Sequence, residues 1–101
     1  MVEWQRLPDE PSTIVEVNDL LGKSKVEFIF HAVDQMRIRK ISVSEVLAVI
    51  RTPAVTGLPT QPGRERVRKF KKPTKAIDVV YEVLEDRIRV IPVFPKRFRR
   101  K

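Results

Sequence analysis

Residues 64–94 read "RERVRKFKKPTKAIDVVYEVLEDRIRVIPVF", and this run constrains the fold more than any other feature. Its spacing predicts three strands, at 64–71, 76–84 and 87–94, joined by the short turns "KPTK" and Glu85–Asp86. Connections this short join only antiparallel neighbours, because a parallel pair needs a crossover of a dozen residues or more. In the middle segment Ile77, Val79, Tyr81 and Val83 alternate with Asp78, Val80, Glu82 and Leu84, as expected of a sheet with one face turned to a core. In the third, Ile88, Val90 and Phe94 alternate with Arg89, Ile91 and Val93. Pro92 has no N–H for a ladder, so it predicts a sheet edge or a bulge at that point.

Helical signals lie upstream. Residues 31–40 suit a helix in which Ala32 and Met36 share a buried stripe, while His31, Gln35 and Arg39 occupy the neighbouring polar one. "ISVSEV" then contains a capping box, with Ser42 as N-cap and Glu45 three residues later, and a hydrophobic staple of Ile41 and Val46. Val43, Val46, Leu47 and Ile50 form the apolar face, and Pro53 predicts a stop at Arg51 or Thr52. "PAVTGLPTQPG" (53–63) links the two halves. "STIVEVNDLLG" (12–22) is readable as a short helix closing at Gly22, although its β-branched content argues equally for a strand. "VEFIF" (26–30) and 54–59 are candidates for a further strand.

This order predicts an α+β domain with helices on one face of a three- or four-stranded antiparallel sheet. The expected division is an N-terminal arm with a short helix over 1–25, pinned by Trp4, a single domain over 26–95, and a mobile basic tail over 96–101.

Composition narrows the chemistry. Without cysteine there is neither a disulfide nor a thiolate metal site, and one histidine with scattered carboxylates predicts no metal or other cofactor. No apolar run approaches the ~20 residues of a membrane span, and the N-terminus lacks signal-peptide order, so the expectation is a cytoplasmic protein away from membranes. The net charge of +8 is unevenly placed: residues 1–59 hold seven basic and eight acidic side chains, residues 60–101 fourteen and five. Such a bias predicts a basic face for nucleic acid, with solubility or docking to an acidic protein as the alternative.

Two groups of residues are candidates for a site. In a strand, Arg64, Arg66 and Arg68 project from one face at ~6.6–7 Å intervals, a spacing suited to successive phosphates. Lys69, Lys71 and Lys72 extend the same basic segment, with Phe70 or Tyr81 available to stack a base. His31 is the only imidazole, the side chain that exchanges a proton near neutrality, and Arg39 shares its stripe. Metal-free RNA cleavage needs a base for the 2′-OH, cations for the phosphorane charge and an acid for the leaving oxygen.

"HAVDQMRIRKISVSEVLAVIRTP", followed by the R-x-R, V-V-Y and I-x-V-I-x-V strands, resembles the domain-of-unknown-function 4258 family, often grouped with RelE- and BrnT-like toxin ribonucleases. The resemblance spans roughly residues 28–95. It rests on His31, Ala32, Met36, Arg39, Ile41, Ser42, Glu45, Val46 and Pro53, with Arg66, Arg68 and Tyr81 in the strands. It implies a RelE/barnase-like fold and a toxin-like, metal-independent RNA endonuclease in which His31, Arg39 and Tyr81 are catalytic. RNA would be the substrate and a small acidic antitoxin-like protein a partner. Gln35 stands where the pattern usually has Arg, and Lys40 where it usually has Gly. These departures leave open a non-catalytic nucleic-acid-binding module, or a weakened toxin-like domain that binds an acidic protein.

Overall fold

The alternation along residues 75–83 sorts side chains between two unlike faces and so decides how the layers stack. In the computed structural model, residues 12–98 are described. They form β1 (Thr13–Leu20), β2 (Lys23–Phe28), α1 (Phe30–Arg39), α2 (Val43–Arg51), β3 (Glu65–Lys72), β4 (Lys75–Val83) and β5 (Ile88–Arg97). The expected arm at 1–11, Trp4 included, and the last tail residues 99–101 lie outside the described residues. Ile77, Val79 and Tyr81 of β4 join Val67, Ile88, Val90 and Val93 in a buried cluster with Ala32 and Met36 of α1 and Val46, Val49 and Ile50 of α2. Both helices therefore cover one face, and the alternate residues, Asp78 among them, point to the other.

The α+β expectation holds, but the sheet is larger and not purely antiparallel. Five strands run in the order β1-β2-β5-β4-β3, and β2 lies parallel to β5. The extra strand comes from residues 12–22, which take the strand option. Thr13, Val15 and Val17 suit an extended chain. Gly22 closes a hairpin turn instead of a helix: Leu21 and Gly22 have φ of 54° and 82° between the paired Leu20 and Lys23. Two consecutive positive values match the twist of a two-residue hairpin loop. β1 is thus part of the sheet, not of an arm. The α1 and α2 crossover links β2 to the β3–β5 meander, and it allows β2 to enter parallel to β5.

Pro92 lies in a central strand, and a bulge accommodates it. Val79 pairs with Val93 but Tyr81 pairs with Val90, so Ile91 and Pro92 together oppose Val80. The extra residue exchanges the faces of everything downstream. Val93 is buried among the helices and Phe94 turns to the other face, the reverse of the simple alternation. The 54–59 segment is not a strand, yet it covers the outer edge of β3. Ala54 and Val55 donate to the Arg68 carbonyl and Leu58 donates to that of Arg66. Residues 95–97 extend β5, and Phe98 donates its N–H to the Thr74 carbonyl at 2.8 Å, so this part of the expected tail is ordered structure.

The helix ends follow local chemistry. Ser42 accepts from the Glu45 N–H at 3.1 Å while the Glu45 carboxylate accepts from the Ser42 N–H at 2.9 Å, completing the capping box. α1 closes around Lys40, which is left-handed at φ 59°, with the Ile41 N–H reaching the Met36 carbonyl at 2.8 Å. That conformation disfavours any side chain with a Cβ. Lys40→Gly is expected to stabilise the fold by up to about 1 kcal/mol, read as a shifted urea midpoint with unchanged slope.

Candidate nucleic-acid interface

Among the described residues the face opposite the helices has no third layer, yet Asp78 on it is 0% exposed. Long side chains from the flanking strands bury it. Arg68, its cross-strand neighbour, donates Nε to Oδ1 at 2.6 Å and Nη2 to Oδ2 at 3.0 Å. Arg66 donates Nε and Nη2 to Oδ2 at 3.0 and 2.8 Å. The guanidinium carbons lie 5.1 Å (Arg66) and 4.9 Å (Arg68) from the ring centroids of Phe94 and Phe98, which cover them from solvent. Burial pushes the Asp78 carboxyl up, but the hydrogen bonds from Arg68 and Arg66 outweigh it and hold the group below its ordinary value.

A second clamp ties the parallel strands. Glu27 of β2 accepts from Nε of Arg87 at 2.6 Å, from Nε of Arg89 at 3.2 Å and from Ser12 Oγ at 2.8 Å. Burial raises this carboxyl too, yet Arg87, Ser12 and Arg89 together lower it to about 2.

These contacts change the reading of the basic strand. Arg64, Arg66 and Arg68 do share a face, but Arg64 lies 3.6 Å from Glu82, and the other two forks are taken up by Asp78. Lys69 is directed to the carbonyl and hydroxyl of Thr52 at 2.9 and 3.0 Å. With Lys71 paired to Glu45, five of the six residues expected to hold phosphate are therefore engaged within the fold. Tyr81 is buried on the helix side, where no base reaches it, and burial and Glu65 push its hydroxyl up. His31 is exposed on the first turn of α1 with no hydrogen-bond partner among the described residues. α1 packs chiefly on β5, whereas Arg66 and Arg68 project from β3, two strands away and on the other face. Arg39 lies ~12 Å along the helix from His31. The structure does not bring His31, Arg39 and Tyr81 together, nor His31 to the arginine strand.

A different set of cations does converge. A pocket of about 290 Å³ opens where the end of α1 meets the β3–β4 turn and the end of β5. Arg39, Lys40, Lys71, Lys75, Lys96 and Arg97 line it, with Ile41, Ala76, Ile77 and Pro95 between them and no carboxylate among the lining residues. Among the described residues only Lys71 of the six has an acidic partner, Glu45 at 2.8 Å. The sheet register makes the crowding explicit. Lys75 is the cross-strand partner of Lys72 on one side and of Arg97 on the other. Like charges directly opposite each other are destabilising, so three cations in one row across three strands oppose folding. The C-terminal dipole of α1 favours Arg39 and Lys40 nearby, but it gives no reason for the row.

The family model described as "Domain of unknown function (DUF4258)" matches residues 28–95. The chain belongs to this family. No curated protein and no solved structure matches it. In this DUF4258 chain the matched span holds both helices and the β3–β5 meander, while β1 and the pocket residues Lys96 and Arg97 fall outside it. No helix among the described residues is long and apolar enough to cross a membrane.

Sequence reasoning put Arg39 and Lys71 in a site and missed Lys40, Lys75, Lys96 and Arg97 as lining residues. The signal for Lys75 was present: a two-residue turn at Pro73–Thr74 places it opposite Lys72. Nothing local announces that α1 and the end of β5 arrive at the same place.

Two outcomes follow from the clamps. Asp78→Ala leaves two partly buried guanidinium groups unpaired and is expected to lose about 3–5 kcal/mol in urea unfolding, whereas replacing Arg66, Arg68 and Asp78 together by Met, Met and Leu recovers most of that loss. Both clamped carboxylates have lowered values, so their stabilisation is present above the ordinary carboxylate range and is lost as pH falls. Unfolding free energy should be level above about pH 5 and decline on acidification, the Glu27 share between pH 4.5 and about 2.

Proposed function

We propose that this domain binds RNA through the cation-lined pocket at the end of its sheet, with the basic residues that follow β5 in sequence adding to the attraction. The row Lys72–Lys75–Arg97 carries this reading. A fold that aligns like charges at some expense in stability is relieved by a polyanion, and phosphate groups at regular intervals suit such a row. Arginine and lysine divide the work: Arg39 and Arg97 can clasp two phosphate oxygens, and the lysines act as point charges. Lys40 supports the same reading, since a cation lines the pocket from a backbone conformation that favours glycine.

The resemblance to RelE/barnase-like toxin ribonucleases drawn from the sequence suggests the catalytic version, with His31 as base beside Arg39 and Tyr81. The geometry supports it less. His31 stands about two helical turns from the only one of those partners that lines the pocket, and fold kinship alone establishes no activity. An acidic antitoxin-like segment would meet the same cations, and it would compete with RNA for them.

The test is fluorescence anisotropy with a labelled RNA strand over a salt series. If about four phosphates are neutralised, log K should fall against log salt with a slope near −3. Lys75→Glu with Arg97→Glu is expected to weaken binding at least about tenfold and to flatten the slope. The same pair should raise stability at low salt by some tenths of a kcal/mol. His31→Ala should leave binding unchanged and the RNA uncut in EDTA, as in the wild type. Cleavage to 2′,3′-cyclic ends that disappears in His31→Ala would overturn the binding-only reading.

A further inference from the structure

The cation pocket has an aromatic neighbour. Phe70 sits on β3 directly across from Ala76, which lines the pocket; its ring lies with Phe98 and Arg68 on the sheet face away from the helices, so it and the α1 side of the pocket are joined over the end of the sheet. Its ring remains 41% exposed. Phe98 supports it, with centroids 5.5 Å apart and planes tilted by 39°, and Phe98 is itself covered by the Arg68 guanidinium. Arg68 is fixed by Asp78, and Phe98 by its bond to the Thr74 carbonyl. The exposed phenyl group is therefore held at the end of a braced stack of guanidinium, ring and ring. Of the other large exposed apolar side chains, Ile14, Leu21, Ile38 and Val83 carry no ring, and Phe30 lies at the opposite end of α1 from the pocket residues Arg39 and Lys40.

We infer that the site selects single-stranded nucleic acid, with an unpaired base stacked on Phe70 while the adjoining phosphates occupy the cation pocket. This rests on the polyanion reading above and adds to it the form of the ligand. A duplex offers the same phosphates, but its base faces are buried in its own stack. A single strand offers both, and every base has a π-face, so the platform is tolerant of sequence. The buried Tyr81 cannot serve in this way, whereas Phe70 is exposed beside a pocket-lining residue and is the stacking residue of this proposal.

The experiment compares a short single-stranded RNA with a blunt RNA duplex of the same length at one salt concentration, using wild type, Phe70→Ala and Phe70→Trp, with folding checked by thermal melting. Wild type is expected to prefer the single strand. Phe70→Ala should weaken single-strand binding about tenfold and leave duplex binding unchanged, and Phe70→Trp should retain or improve it. Equal affinity for the two forms, with Phe70→Ala silent, would overturn the stacking inference and leave the polyanion site standing. Failure of wild type to bind either form would overturn both.

Discussion

Asp78 is a carboxylate with no access to water, in the central part of β4, and both of its oxygens are held by guanidinium groups from the neighbouring strand. An unpaired charge there would be prohibitive, so the register of β3 against β4 is coupled to this contact: a slip of one residue would turn both arginines to the helix face and leave the acid alone. The clamp also buries groups on the sheet face that neither α1 nor α2 covers. Helices bury one side of the sheet. On the other, arginine stems and the rings of Phe94 and Phe98 shield Asp78, and Val80 beside it is likewise buried. Glu27 with Arg87 and Arg89 repeats the device where β2 enters parallel to β5.

A chain with so large a basic excess has to divide its cations between structure and function, and the division here is spatial. On the open sheet face the arginines meet carboxylates placed across from or beside them, so much of their charge is spent internally. At the end of the sheet the lysines and arginines meet one another. Lys72, Lys75 and Arg97 align across three strands, and α1 delivers Arg39 and Lys40 to the pocket that Lys75 and Arg97 line. The region free to attract a polyanion is therefore not the strand richest in arginine.

Much of this was legible in the chain before folding. The capping box, the helix stop before Pro53 and the three C-terminal strands all rest on local rules, and each appears within a residue or two of its expected place, except that β5 runs three residues past Phe94. β1 was ambiguous because β-branched residues ending at a glycine suit a strand and turn as well as a capped helix, and its partner β2 decides between them. The parallel β2–β5 contact joins segments some sixty residues apart and leaves no local trace. Alternation failed at Pro92 for a specific reason, the bulge that sends Phe94 to the other face. The site misled in a similar way. Counting arginines locates charge, but only the register shows that Asp78 sits opposite Arg68 and that Lys75 sits between Lys72 and Arg97.

The central claim, that the sheet end and not the arginine strand meets the ligand, is tested most directly by nuclear magnetic resonance. A short single-stranded RNA would be titrated into isotopically labelled protein while backbone and arginine side-chain signals are followed. Shifts largest at Arg39, Lys40, Lys75, Lys96 and Arg97, exceeding those of the Arg66 and Arg68 guanidinium signals, are the predicted result. Shifts centred on Arg66 and Arg68, or around His31 with the pocket silent, would contradict it.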